Sequence, residues 1–134
     1  HPLATRPWQH VFEPLTGYMD YAKHAFERKI ETPNSLNFGP DGASLNVREV
    51  ASLVRELIRE ENGTSSISET PSDYVEAQEL SIDSRLARKS LGWKPRWTAK
   101  KAIEQTVHWH EAELRGDDMK KFSIEQLRSY ESSR

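Results

Sequence analysis

Arg6-Pro7-Trp8-Gln9-His10-Val11, continued by Phe12-Glu13-Pro14-Leu15-Thr16-Gly17-Tyr18, is the stretch from which the rest of the chain is read. Its first half is short, aromatic and extended in character, with Pro7 fixing the entry. Glu13-Pro14 then opens a helix, because a proline in the first turn lacks only an N–H that no carbonyl would have met. Leu15, Tyr18, Met19, Ala22, Ala25 and Phe26 follow at spacings of three and four, an apolar stripe to about Ile30. Thr32-Pro33-Asn34-Ser35 breaks it.

Outward from this start, Ser35 to Phe38 reads as a short strand ended by the turn Gly39-Pro40-Asp41-Gly42. Asn46 caps a second helix, with Glu49 three residues on as its capping-box partner. Val47, Val50, Ala51, Leu53, Val54, Leu57 and Ile58 trace one face, and Asn62-Gly63 stops it. A polar run from Thr64 to Asp73 holds a possible strand at Ser66 to Ser68, and Glu79 to Ile82 reads as another. Asp83 caps a helix to Leu91, closed by Gly92. Trp93-Lys94-Pro95-Arg96-Trp97 connects to a helix that Thr98 caps. Ser123-Ile124-Glu125-Gln126 is a further capping box opening a short terminal helix. The expectation is five helices and three short strands.

Composition sets limits on function. The 134 residues suggest one domain. Hydrophobic residues are 35%, and the six glycines bring the apolar share to roughly 39–40%, below the ~45–50% of ordinary domains. The core is thin for the length, as in a chain built to pack against something else. Zero cysteines exclude a disulfide scaffold, thiolate zinc site or thiol nucleophile. A net charge of −2 gives no general reason to bind nucleic acid. No apolar run approaches the ~18 residues of a membrane span. The first six residues are no apolar signal sequence, so the expected location is cytoplasmic.

Few residues offer chemistry. Gly39 and Gly42 are the one close glycine pair, but the third glycine of a dinucleotide fingerprint would fall at Leu45, so a plain turn is the better reading. His108 and His110 sit two apart on a helix and face different ways. No two carboxylates share an apolar floor, which leaves no general acid/base couple. Trp93 and Trp97 interleave with Lys94 and Arg96, a pattern either for stacking bases or, more often, for wedging two helices together. Arg6 and His10, on an extended segment before a helix, are placed to meet an anion, since an arginine offers phosphate a fixed donor fork.

Taken together, these segments resemble CDP-glucose 4,6-dehydratases of the extended short-chain dehydrogenase/reductase superfamily. The resemblance rests on Arg6 to Val11 with Glu13-Pro14-Leu15 and Gly17-Tyr18, on Asn37-Phe38-Gly39-Pro40, and on Glu76-Ala77 with Leu80 to Ala87. It continues through Leu91-Gly92-Trp93-Lys94-Pro95-Arg96-Trp97 and, in the tail, Asp118-Met119 and Phe122 to Gln126, so it covers nearly the whole chain.

The resemblance implies an α/β fold: the smaller C-terminal, substrate-binding lobe of a Rossmann-type enzyme, 1–134 as one unit, mostly helical with short strands. Such enzymes form a 4-keto-6-deoxy sugar nucleotide by oxidation, loss of water and reduction on bound NAD. Their glycine fingerprint and Tyr-x-x-x-Lys pair are not found here: the residues four after each tyrosine are Ala22, Ala25, Gln78 and Arg134. The expectation is a chain that follows the catalytic half, carries no catalytic residue, binds no NAD by itself and is inactive alone.

Implied substrate-binding residues are Arg6, matched to an arginine that contacts the diphosphate in relatives, then Gln9, His10, Asn37 and Glu76. Val75 stands where the family usually has histidine. The implied partners are a sugar nucleotide, CDP-glucose first, the Rossmann half and further copies in a homo-oligomer, with no nucleic acid or membrane. Two other readings are a UDP- or dTDP-sugar epimerase or dehydratase and a non-catalytic interaction module.

Overall fold

Three separated stretches of chain meet at Thr5. In the computed structural model, which describes residues 1–27, 33–60, 68 and 77–133, β1 (Thr5–Arg6) pairs antiparallel with β2 (Leu45–Asn46), Thr5 opposite Asn46 and Arg6 opposite Leu45. Thr5 also forms a parallel bridge with Glu79. Around this small sheet lie α1 (Phe12–Phe26), α2 (Val47–Glu60), α3 (Arg85–Leu91), α4 (Ala99–Arg115) and α5 (Met119–Ser132). The architecture is mostly helical with a two-stranded sheet, which agrees with an α/β lobe.

Local chemistry explains most helix starts. Asn46 N–H donates to Glu49 Oε2 at 2.7 Å while Glu49 N–H donates to Asn46 Oδ1 at 2.9 Å, the reciprocal box expected for α2. Thr98 Oγ1 caps α4 by accepting from Lys101 N–H. α5 begins a turn earlier than expected, because Asp118 Oδ1 takes the Lys121 N–H at 3.0 Å. Ser123 is then inside the helix, with its hydroxyl accepting from Trp109 Nε1.

The strands differ from expectation. Residues 35–38 form no strand; the Phe38 carbonyl instead accepts from the Gln9 side chain at 3.0 Å. Of 79–82 only Glu79 bridges. The expected helix end at Ile30, the break at Thr32, the stop at Asn62-Gly63 and the strand at Ser66 to Ser68 fall wholly or largely outside the described residues.

Two clusters hold α1, α3 and α5 to the connector, while α2 packs on α4. Phe38, Ala87 and Trp93 form one, with Tyr21, Leu36 and Leu91 against it and the Phe38 and Trp93 rings edge-to-face at 5.1 Å. Gly17 brings α1 onto it, since a Cβ there would meet the Phe38 ring. The other is centred on Glu13, which is wholly buried. Its carboxylate accepts from Arg96 N–H at 3.0 Å, Trp97 N–H at 2.8 Å and the Tyr130 hydroxyl at 2.7 Å. Three donors compensate a charge that would otherwise be costly to bury. Burial, together with Glu13, pushes the Tyr130 pKa up. Trp93 and Trp97 are both buried, so the wedge is what the connector forms.

The stripe on α1 is exposed. Leu15, Met19 and Phe26 face outward, Met19 at 72% and Phe26 at 89% of full exposure. Glu13 and Gly17 are buried, Tyr21 packs on the Phe38 cluster, and the partly exposed Tyr18 ring lies edge-on to Phe38 at 5.5 Å.

Candidate functional site

The segment from Arg6 to Phe12 runs beside α4, and three cavities lie between them and their neighbours. The first, about 290 Å³, is lined by Arg6, Trp8, Asp41, Ser44, Ser81 and Ala99 among others. The second, about 280 Å³, lies under Trp8 and Gln9 against Val54, Ile103 and Thr106. The third, about 380 Å³, is walled by His10, Phe12, Thr106, Trp109, Ser123 and Gln126. Trp8 is common to the first and second, Thr106 to the second and third. From Ala99 to Trp109, α4 rises about 15 Å along this series.

Trp8 and Gln9 are fixed by partners distant in sequence, Arg6 by strand pairing and His10 by packing between Phe12 and Trp97. Arg6 is half-buried, pinned by β1–β2 pairing, and its Nη1 donates to the Thr5 carbonyl at 2.7 Å. Trp8 Nε1 donates to the Leu45 carbonyl at 3.0 Å. Gln9 Nε2 is spent on the Phe38 carbonyl, and Gln9 Oε1 is buried with no partner among the described residues. His10 is 5% exposed, with its ring edge-on to Phe12 at 4.6 Å and to Trp97 at 4.9 Å. Its Nδ1 accepts from Phe12 N–H at 3.3 Å. Burial lowers its pKa to about 4, so the ring is neutral at physiological pH.

The structure therefore divides the candidates. Arg6 borders the first cavity and His10 the third, with Gln9 at the second between them. Asn37 is exposed and borders none of the three. Glu76 lies outside the described residues. Sequence reasoning missed Asp41, Ser44 and Ser81, which share the Arg6 cavity; Asp41 had registered only as a turn residue, and it pairs with Arg88. It also missed Trp109 and Gln126, whose helical spacing gave no hint of a shared cavity.

His108 and His110 are exposed, His110 Nδ1 lying 3.5 Å from Glu113. Among the described residues no group of three potential ligands could hold a metal ion. The glycine turn does not fit a dinucleotide: a Cβ at Gly39 would lie 2.6 Å from Ile82 Cβ, so its space is taken by the protein itself. The N–H of Glu49, near the start of α2, is likewise taken by Asn46. No helix of the described residues is long and apolar enough to cross a membrane.

No family model matches the chain. Almost the whole of this chain does align with part of a known enzyme. The chain is similar to a CDP-glucose 4,6-dehydratase. That protein, from Salmonella typhimurium, is 31% identical over 134 residues, 99% of this chain and 37% of the relative. The resemblance drawn from Arg6 to Val11 and the Gly92-Trp93 connector thus extends to the whole sequence. The chain spans little more than a third of the dehydratase it matches.

Proposed function

We propose that this chain is the sugar-nucleotide-binding part of an enzyme similar to CDP-glucose 4,6-dehydratase, with CDP-glucose as the substrate. The observation that carries this reading is the 31% identity sustained over 99% of the chain. The Arg6 cavity supports it, because a half-buried guanidinium beside about 290 Å³ of open space can neutralise and orient phosphate oxygens. On this reading the reaction yields the 4-keto-6-deoxy sugar nucleotide. NAD supplies the hydride chemistry, and it and the proton-transferring groups belong to parts of such an enzyme outside these residues. The chain alone is then inactive, and its task is to bind and orient.

Titration of the full-length encoded protein with CDP-glucose, UDP-glucose and dTDP-glucose tests the assignment. CDP-glucose should bind tightest. Arg6→Ala should weaken it by roughly 1.5–3 kcal/mol, the range for a charge-assisted hydrogen bond. A protein that prefers another sugar nucleotide defeats the CDP assignment, and unchanged affinity in Arg6→Ala removes Arg6 from the site.

A further inference from the structure

Among the described residues that border the Arg6 cavity, Arg6 and Asp41 alone carry a formal charge, and the two charges are opposite. In a space of about 290 Å³ neither acts on a ligand by itself. A phosphate drawn by Arg6 therefore meets the field of a carboxylate. Left bare, Asp41 would cancel much of what Arg6 offers an anion.

Asp41 is not left bare. Arg88, which is not among the residues bordering the cavity, pairs through Nη2 with Asp41 Oδ1. The same Nη2 donates to Ser84 Oγ at 3.0 Å. Ser84 is 2% exposed, and its hydroxyl donates in turn to the Gly39 carbonyl at 3.3 Å. α3 thus grips the turn at two points, Gly39 and Asp41. Beyond this grip, the run 40–45 supplies half of the described residues that border the cavity, and Leu45 ends it by pairing with Arg6. The Arg88–Asp41 pair is part-exposed, so it adds little to the stability of the fold. Its consequence lies in the charge and shape of the cavity.

We propose that Arg88 is a positioning residue for the diphosphate: it neutralises Asp41 and holds the 39–41 turn, which tips the charge balance of the Arg6 cavity toward an anion. The inference rests on the sugar-nucleotide reading above and adds to it a residue that acts through Asp41 without touching the ligand. The sequence shows Arg88 only as one more basic residue of a short helix.

Titration of the full-length protein with CDP-glucose and with inorganic pyrophosphate, the bare diphosphate, tests this. Arg88→Ala should weaken both by about fivefold at low salt, the upper range for a part-exposed charge interaction. The gap should narrow as ionic strength rises. Arg88→Lys, which keeps the charge, should bind within about twofold of wild type. Arg88→Ala combined with Asp41→Asn should recover most of the lost affinity, because no bare carboxylate remains. A turn that had merely lost its grip would not be mended by that second change. Arg88→Ala binding as well as wild type, or a double variant as weak as Arg88→Ala, overturns the inference and leaves the substrate reading standing. If the unaltered protein binds neither compound, both fall.

Discussion

The two faces of α1 invert the usual arrangement. The outward face is apolar, with Leu15, Met19 and Phe26 in solvent. The inward face carries a carboxylate at Glu13 and bare backbone at Gly17, with the half-buried ring of Tyr21 beside them. The inward face is chosen by what meets it: three donors from the connector and α5 converge on Glu13, and the Phe38 ring needs the space above Gly17. Periodicity locates a stripe but does not say which side of a helix its neighbours occupy. Here specific polar partners outweigh a generic apolar preference.

Glu13→Ala is the severest way to break this contrast. It strands two backbone N–H groups and a buried hydroxyl, and should destabilise the fold by about 3–5 kcal/mol in urea unfolding. Acid comes next. His10 is held neutral by burial, so the unfolded chain takes up a proton near pH 6.5 that the folded chain refuses until about pH 4. Stability should therefore fall as pH drops through that window, by up to about 3 kcal/mol from His10, whose contribution levels off below it. The drop should be smaller in His10→Gln.

Gly17→Ala should cost about 1–2 kcal/mol, overpacking against Phe38 being partly offset by the better helix propensity of alanine. Smallest is the outward face: Met19→Glu and Phe26→Glu should each change stability by less than about 0.5 kcal/mol in the same unfolding experiment. Equal losses for Glu13→Ala and Phe26→Glu would erase the distinction between the faces.

What could be read from the chain follows the same line. The α2 box at Asn46 and Glu49, the Thr98 cap and the Trp93–Trp97 wedge were legible because their causes lie within a few residues. The start of α5 was misplaced because two caps competed, and Asp118 won while Ser123 found Trp109. β1 and β2 are two residues each, too short to leave a period-two pattern. Glu13 meets Trp97 and Tyr130 across 84 and 117 residues, which no local pattern announces. For the candidate site, Arg6 was visible through its motif, whereas its neighbours Ser44 and Ser81 become neighbours only once β1 has paired.

Hydrogen–deuterium exchange of the full-length protein, with and without saturating CDP-glucose, tests the central claim most directly. The account predicts that CDP-glucose binds and slows exchange in peptides covering the Arg6–Phe12 segment and residues 41–45, with Arg6→Ala erasing the second effect. Tight binding that leaves both regions unchanged while protecting others would contradict it.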